Sequence, residues 1–271
     1  MEGLSREESD GLSLEAKINI AKTVIKDTLT RFNRPVIVWS AGKDSTTVLH
    51  LSVQVTKETE SSIPPCLFLD HGDHFDETIQ FVEKLSNEWN FKVIFARNED
   101  VLNNIDGEGM IHIEKLNAKN RSEAKKVGFE GESFEYSLNS AVGNHLLKTV
   151  PMNDVITKYQ FDALCTGVRW DENPARKGEV FIRSRSSPPH FRSQPILPFS
   201  ERDIWTYIFK FNLPFHPLYE KGYRSIDGKM DSTKTGDEPA WKQALENTNE
   251  RGGRARDKEQ MMEQLRRFGY M

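Results

Sequence analysis

Short apolar runs alternate with amphipathic segments along the first two thirds of the chain. Apolar residues recur at helical spacing over residues 14–29 and 75–89, and residues 46–55 also have helical character. Four short apolar runs with polar flanks are typical of buried parallel strands: residues 35–39, 66–69, 91–95 and 161–167. This alternation predicts an α/β fold in which a parallel, twisted sheet has helices on both faces.

The segments between these elements are less regular. Residues 98–132 are polar and contain glycine, and we expect a mobile excursion with helical pieces. Residues 136–159 have a mostly helical pattern, which Pro151 interrupts. Residues 169–192 are rich in arginine and serine and contain adjacent prolines, so their composition predicts a loop.

The character of the chain changes near Gln194. Ser200 is placed to be the N-cap of a further helix, with Asp203 at its third position. The residues beyond 218 are polar and have a loosely helical pattern. We therefore predict an α/β nucleotide-binding domain over residues 1–194 and a helical and irregular C-terminal extension over residues 195–271.

Composition and charge exclude several classes of protein. No apolar run is long enough to span a membrane, and the acidic first ten residues are unlike a secretory signal. Lys and Arg number 37 against 41 Asp and Glu, which argues against a protein that coats nucleic acid. Two cysteines, Cys66 and Cys165, are too few for a disulfide framework or a four-cysteine zinc or iron–sulfur site. We expect a reducing, cytoplasmic setting.

Residues 40–45, Ser-Ala-Gly-Lys-Asp-Ser, are the most informative segment. They follow the first predicted strand and precede a helix, the position at which open parallel sheets bind ligands. Backbone N–H groups at a helix start favour an anion, and Gly42 lets the main chain approach phosphate oxygens. Lys43 adds a cation, while Ser40 and Ser45 add hydroxyl donors. Because the spacing differs from G-x-x-x-x-G-K-[ST], we expect a phosphate-binding loop other than a Walker loop.

This segment resembles the pyrophosphate-binding loop, Ser-Gly-Gly-Lys-Asp-Ser, of the ATP pyrophosphatase (PP-loop) superfamily, with Ala41 in place of the first glycine. From about Arg34 to its end, the chain is similar to the sulfate-activation group of that superfamily. The group comprises the small subunit (subunit 2) of the bacterial heterodimeric ATP sulfurylase and the phosphoadenylylsulfate (PAPS) reductases. The resemblance implies a Rossmann-like adenine nucleotide alpha hydrolase fold, with the whole loop, including Asp44, in contact with the nucleotide.

A second segment after the second predicted strand carries the same resemblance. Residues 69–78 are similar to the Asp-Thr-Gly-x-x-Phe-x-Glu-Thr signature of the group, with His71 where threonine is usual. The resemblance implies that Asp70 and Gly72 lie at the carboxyl end of this strand and face the nucleotide. It also implies that adenine packs against the ends of the first two strands.

An arginine-bearing stretch follows the fourth predicted strand. It begins at Gly167 and resembles the anion loop of the sulfurylase subunit, which implies that Arg169 and Arg176 neutralise an acceptor anion. Arg183 and Arg185 are further candidates for that role. A solvated run of charge is the alternative interpretation, but the stretch directly follows the carboxyl end of a core strand, where ligands bind.

The cysteines bear on the choice between sulfurylase and reductase. A PAPS reductase needs a thiolate near its C-terminus, because the thiolate is both nucleophile and electron source. Residues 222–226 resemble the reductase sequence in that region, yet no cysteine follows Cys165, and residues 250–257 resemble the tail of the sulfurylase subunit. We expect Cys66 and Cys165 to be small buried apolar residues within strands.

The resemblance therefore implies a nucleotidyltransferase of sulfate assimilation that splits ATP between its α and β phosphates and transfers AMP to an oxyanion, with sulfate as the expected acceptor. Pyrophosphate would rest on the loop, Mg²⁺ would bridge phosphate oxygens, and Lys43 would stabilise the leaving group. Lys43, Arg169 and Arg176 are the catalytic candidates. The sulfurylase family also implies a GTPase partner subunit. A homo-oligomer is compatible with the sequence, whereas nucleic acid and membrane are not expected as partners.

Three alternatives stay open from the sequence. The first is an oxidoreductase of the PAPS-reductase type whose thiol comes from another protein. The second is an FAD synthetase-type adenylyltransferase, which shares the loop and the Gly-Val-Arg stretch. The third is a non-catalytic nucleotide-binding module, which would bind ATP tightly and release no pyrophosphate.

Overall fold

The computed structural model describes residues 6–9, 11–248 and 250. Its α-helices are α1 (Arg6–Ser9), α2 (Leu14–Arg31), α3 (Lys43–Glu58), α4 (Asp76–Glu88), α5 (Glu99–Asn103), α6 (Ala118–Lys126), α7 (Ala141–Asn144), α8 (Val150–Tyr159) and α9 (Glu201–Lys210). Its strands are β1 (Pro35–Val38), β2 (Cys66–Leu69), β3 (Val93–Ala96), β4 (Met110–His112), β5 (Ser133–Glu135), β6 (Ala163–Cys165), β7 (Ile182–Ser186) and β8 (Pro189–Ser193). None of the described helices is both long and apolar enough to cross a membrane.

Six strands form one sheet in the order β3-β2-β1-β6-β8-β7. All its neighbouring strands are parallel except β7, which is antiparallel to β8, so the predicted α/β fold is confirmed. Pro35 of β1 pairs with Ala163 of β6, and the carboxyl ends of these two central strands therefore lie side by side. Because open parallel sheets bind ligands beyond those ends, this edge positions the candidate site.

The central strands are buried on both faces. Ile37 and Phe68 pack on one face in the main core with residues of α2, α3 and α9, including Trp205. Val36 and Leu164 pack on the opposite face under α8. Burial on both faces explains why these strands are continuous apolar runs in the sequence, not alternating ones.

The predicted helices and strands are found close to their expected positions. The expected cap of α9 is present: the N–H of Asp203 donates to the Ser200 hydroxyl at 3.1 Å, and the Asp203 carboxylate accepts the N–H of Ser200 at 2.8 Å. Pro151 lies in the first turn of α8, where a missing N–H is tolerated, and a π-helical turn over His145–Thr149 precedes that helix.

The prediction of a loop over residues 169–192 is wrong from residue 182 onward, while residues 169–181 contain only turns and one 3-10 turn. β7 and β8 form an antiparallel hairpin in this stretch, and β8 pairs with β6. Without β8, the buried β6 would present unpaired backbone groups, which are costly away from water. The arginines are compatible with β7 because it is the edge strand, where side chains stay partly exposed.

Residues 98–140 fold around an apolar cluster that they share with α7, the π-helical turn and α8. Val101 and Ile111 are fully buried in this cluster, beside the antiparallel pair of β4 and β5. Helices α5 and α6 are the helical pieces that the sequence predicted, whereas the pairing of β4 with β5 was not predicted. Tyr136 ties this insertion to the main sheet, because its hydroxyl donates to the carbonyl oxygen of His71 at 2.7 Å.

The stretch after α9 is irregular over residues 211–248. Its described helical turns are short 3-10 turns at Pro217–Tyr219 and Ala240–Lys242, so the loose helicity expected beyond residue 218 is not found in the described part, which is irregular. Leu245 of this stretch joins the same core as Ile37. Residues 249 and 251–271 lie outside the described residues, and with them most of the segment that resembles the sulfurylase tail. The division of the chain at residue 194 stays a prediction.

Candidate anion site

Residues 40–45 form a tight turn between β1 and α3. Ala41 adopts a left-handed conformation with a φ of 61°, which redirects the chain from the strand into the helix. The N–H of Ser40 donates to the Ser45 hydroxyl at 3.2 Å, and that hydroxyl donates to the carbonyl oxygen of Gly42 at 3.1 Å. The turn thus places the start of a 16-residue helix beyond the carboxyl end of a central strand. First-turn N–H groups there favour an anion.

Gly167 brings the end of β6 against this turn. A Cβ at this position would lie 2.8 Å from the backbone nitrogen of Ser45 and 2.9 Å from the carbonyl carbon of Asp44. A Cβ on Gly42 would meet its nearest neighbour, the Ser40 hydroxyl oxygen, only at 3.3 Å. Of these two glycines, Gly167 is therefore the one whose missing side chain the turn strictly needs.

The Lys43 side chain is buried, with 2% of the residue exposed. Its ammonium donates to the Glu250 carboxylate at 2.5 Å and to the carbonyl oxygen of Arg224 at 3.0 Å, and lies 3.8 Å from the Glu201 carboxylate. Its backbone N–H donates to the Tyr219 hydroxyl at 2.9 Å. Burial disfavours the charged ammonium, but the surrounding carboxylates outweigh burial and raise the pKa of Lys43.

Arg169 is fully buried and contacts three carboxylates. Its guanidinium pairs with Asp44 and Glu250, and its Nε donates to Asp171 at 2.8 Å. Asp171 also accepts the backbone N–H of Glu201 at 2.7 Å, which fixes the start of α9 beside the arginine. Burial opposes the charge of this guanidinium, but the carboxylates, Asp44 above all, raise the pKa of Arg169, which therefore stays a cation.

Arg224 is the third buried cation of this cluster. Its guanidinium pairs with Glu201 and donates to the Thr248 hydroxyl at 2.5 Å. Burial raises the pKa of Glu201, and the charge of Glu250 adds to that rise. Burial acts in the same direction on Glu250, but Arg169 and Lys43 outweigh it and lower its pKa, so Glu250 stays ionised.

A cleft lies beyond the ends of β1 and β2, next to the turn. It holds about 460 Å³, including its open mouth, and Ser40, Phe68, His74 and Lys148 are among its lining residues. Strand residues give the cleft apolar walls, and side chains from later segments give it a polar rim. Such a combination suits a flat ring that carries polar substituents.

The polar residues of the cleft are tied to one another. Lys148, in the π-helical turn, donates to the Asp227 carboxylate at 2.5 Å, and Nε2 of His71 lies 3.6 Å from the same carboxylate. The rings of His71 and His74 lie 3.8 Å apart between centroids. Burial lowers the pKa of His74, so its ring is neutral near pH 7.

The predicted residues after β2, Asp70 and Gly72, flank His71, which lines this cleft. The Asp70 carboxylate pairs with Arg97 at 2.8 Å and accepts the N–H of Gly72 at 3.0 Å. Gly72 has a φ of 85°, and a Cβ there would lie 2.6 Å from the Tyr136 hydroxyl. Glycine is therefore required at this turn, while a nucleotide contact of Asp70 stays a prediction.

Arg176 lies next to the charged cluster that Lys43, Arg169 and Arg224 form with their carboxylates. Its Nε is 3.9 Å from the Glu172 carboxylate, in a 3-10 turn over Pro174–Arg176. The charge of Glu172 in turn acts on the pKa of Asp44 and of Arg169. The structure thus brings together residues 40–45, Gly167 and Arg169, with Arg176 behind them.

Sequence reasoning did not single out Glu201, Arg224 and Lys148. Arg224 is 181 residues from Lys43 along the chain, and no motif joins the two. The resemblance of residues 222–226 to a reductase segment was the one signal that this stretch belongs near the loop.

Both cysteines are buried, as expected. Burial raises the pKa of the Cys165 thiol to about 12 and raises that of Cys66 as well. Neither is an exposed thiolate. Within the described ranges, no group of three or more His, Cys, Asp or Glu side chains is arranged to hold a metal ion.

Relatives with curated names resemble this chain over three quarters of its length. Sulfate adenylyltransferase subunit 2 from Brucella anthropi is 26% identical over 226 residues, which cover 75% of this chain and 65% of that protein. The protein of the same name from Rhizobium meliloti is 26% identical over 226 residues and is covered to 66%. The chain thus spans about two thirds of the length of these relatives.

Solved structures share the fold at low sequence identity. PAPS reductase from Candida auris superposes with a TM-score of 0.57 at 18% identity, over 85% of this chain and 98% of that one. Yeast FAD synthetase superposes with a TM-score of 0.63 at 16% identity, over 94% and 93%. A model of the phosphoadenosine phosphosulfate reductase domain matches residues 34–235, which include the turn, the cleft and Arg169. The chain therefore belongs to the phosphoadenosine phosphosulfate reductase domain family.

Proposed function

We propose that this chain is an adenylyltransferase that cleaves ATP between its α and β phosphates and transfers AMP to sulfate, with release of pyrophosphate. The observation that carries the proposal is the turn of residues 40–45. At this turn the start of α3 lies next to two buried cations, Lys43 and Arg169. The relatives named sulfate adenylyltransferase subunit 2 support sulfate as the acceptor.

In this proposal the β and γ phosphates lie against the first turn of α3. The N–H groups of Asp44 and Ser45 donate to them, because the helix's own hydrogen bonds begin only with Thr46, whose N–H donates to Gly42 at 2.9 Å. Negative charge grows on pyrophosphate as the bond to the α phosphorus breaks. Fixed donors aimed at that charge lower the barrier without reorganising.

Lys43 and Arg169 supply positive charge close together, because both contact the Glu250 carboxylate. Lys43 stabilises the departing pyrophosphate, and Arg169, with Arg176 behind it, holds the acceptor in line. Sulfate is already ionised, so no side chain has to remove a proton, and positioning carries the reaction. Mg²⁺ bound to ATP would carry part of the phosphate charge, which Lys43 and Arg169 would share.

The adenosine part of ATP occupies the cleft beyond β1 and β2. Phe68 provides an apolar wall there, and the polar rim that includes His74 and Lys148 faces the sugar and the α phosphate. Adenosine and phosphates are adjacent parts of ATP, and the cleft and the turn are adjacent in the protein, because Ser40 belongs to both.

Reductase chemistry by this chain alone has weaker support. It requires a thiolate that reaches the substrate, and the two cysteines of the sequence are both buried. We propose instead that the chain works in the cytoplasm with a partner subunit, which the word subunit in the relatives' names supports. A GTPase is the partner that would drive the unfavourable adenylylation of sulfate.

The test uses ATP labelled at the α phosphate, inorganic pyrophosphatase to remove product, and separate acceptors. Labelled adenylylated sulfate formed only when sulfate is present is the expected result. Labelled FAD formed with FMN would identify an FAD synthetase-type enzyme instead, and sulfite released from adenylylated sulfate with thioredoxin would identify a reductase. ATP binding without pyrophosphate release from any acceptor would show a non-catalytic nucleotide-binding module.

A further inference from the structure

The Glu250 carboxylate lies where the two proposed anion-binding cations converge. One of its oxygens accepts from Lys43 at 2.5 Å, and the other pairs with the guanidinium of Arg169. Glu250 is 7% exposed, while Lys43 and Arg169 are 2% and 0% exposed. A carboxylate that bridges two buried cations occupies the place that a phosphate or sulfate oxygen would take.

The remaining charges of the cluster do not depend on Glu250. Lys43 also lies 3.5 Å from Asp44 and 3.8 Å from Glu201, and Arg169 also pairs with Asp44 and Asp171. Each cation therefore keeps a carboxylate partner when Glu250 leaves. Replacing Glu250 by another anion therefore leaves neither cation unpaired.

The segment before Glu250 is anchored independently of this contact. We call residues 240–248 and 250 the C-terminal strap. Leu245 of the strap is buried in the main core, Glu246 pairs with Arg202 on the surface, and the Thr248 hydroxyl contacts Arg224. Glu250 follows Thr248 by two positions, so its side chain can withdraw while the strap stays packed.

We propose that Glu250 is an internal competitor of the substrate anion: it occupies the site between Lys43 and Arg169 and is displaced when pyrophosphate or the phosphates of ATP bind. This inference rests on the proposed function, because it uses the same anion site. A site that is filled from within in nine of ten molecules binds its ligand about tenfold more weakly than the same site when open. The strap thereby makes the loop selective for polyvalent anions, since a weaker ligand does not displace a carboxylate held by two cations.

Pyrophosphate binding to the full chain tests the proposal. Titration calorimetry at constant Mg²⁺ compares the wild type with Glu250→Gln and with Glu246→Gln, the strap carboxylate that faces solvent. We expect Glu250→Gln to bind pyrophosphate about tenfold more tightly than the wild type. Glu246→Gln should bind like the wild type.

A second measurement does not depend on any variant. Backbone hydrogen exchange at Glu250 in the wild type should become faster at saturating pyrophosphate, because the anion displaces this residue, whereas residues 240–248 stay packed and should keep their exchange rates. Weaker or unchanged binding by Glu250→Gln, or exchange at Glu250 that stays the same or becomes slower, would overturn the proposal. Failure of all three proteins to bind either pyrophosphate or ATP would instead overturn the proposed function.

Discussion

Lys43 is the residue at which the chemistry of the loop meets the buried charge network. Replacing it by Met keeps the length of the side chain and removes the charge. Under the proposed function, Lys43→Met lowers the rate of ATP–pyrophosphate exchange at least about 100-fold, the scale on which a group that stabilises developing charge acts. Exchange of labelled pyrophosphate into ATP measures this effect.

The matched control is Lys57→Met in the last turn of the same helix, where the side chain is exposed. Thermal unfolding of both variants separates lost chemistry from lost structure, because Lys43→Met also removes a partner of buried carboxylates. Exchange that survives in a folded Lys43→Met protein would exclude the ammonium from the reaction.

His216 makes the stability of the protein depend on pH. Its Nε2 lies 2.9 Å from the Thr78 hydroxyl, its Nδ1 accepts the N–H of Leu218, and burial lowers its pKa from 6.5 to about 4. The unfolded chain binds the proton below about pH 6.5 and the folded chain only near pH 4. Stability is therefore full above pH 6.5 and is lost as the pH falls towards 4.

His216→Asn keeps an acceptor for the N–H of Leu218 but removes the titrating ring. When the pH is lowered from 6.5 to 5, we expect the free energy of unfolding of this variant to fall by about 1–2 kcal/mol less than that of the wild type. Urea unfolding at both pH values measures the difference. Equal losses in the two proteins would show that His216 is not among the groups that take up protons on unfolding.

Single residues also mark the limit of prediction from sequence. The residue types of the turn were sufficient to predict an anion loop, and Gly167 was part of the predicted site. Ala41 departs from the glycine of related loops, yet its φ of 61° is the conformation glycine favours, and its buried methyl group offsets part of the strain. The Glu250 contacts could not be predicted, because charge pairing across the fold leaves no local pattern.

At the scale of elements, α9 positions both the charged cluster and the core. Its first residue, Glu201, holds Arg224, and its cap is the reciprocal pair of Ser200 and Asp203. We expect Ser200→Ala to lower the free energy of unfolding by about 1–2 kcal/mol. Denaturant unfolding measures this loss.

Ser13→Ala at the N-cap of α2 is the comparison, because that exposed cap has one hydrogen bond, 3.3 Å from the N–H of Ala16. Its loss should be about 0.5 kcal/mol. A loss at Ser200 no larger than that at Ser13 would contradict the role given to the capping box.

The central strands could be predicted from apolar runs, because a strand that is buried on both faces has apolar residues at successive positions. The β7–β8 hairpin was not predicted, because the edge strand β7 is not buried on both faces and therefore need not be an apolar run. Its partly exposed positions tolerate Arg183 and Arg185. The β4–β5 pair escaped for a related reason: it is three residues long on each side and depends on packing within its own cluster.

At the scale of the whole molecule, the site is a consequence of strand order. Because β1 lies between β2 and β6, the turn of residues 40–45 has the cleft on one side and Gly167 with Arg169 on the other. The α/β pattern of the sequence predicts the part of the site that lies at the strand ends, namely the turn and the residues beside it. The other part comes from the irregular stretch after α9, whose path over the sheet has no periodicity to predict it.

The central claim is that the turn of residues 40–45 holds the pyrophosphate part of ATP. A crystal structure with an ATP analogue that carries a methylene group between the α and β phosphorus atoms tests it most directly. The claim predicts β and γ phosphate oxygens within hydrogen-bond distance of the N–H groups of Asp44 and Ser45, with the adenine in the cleft beside Phe68. Phosphates bound away from this turn, in a crystal where the analogue is well occupied, would contradict it.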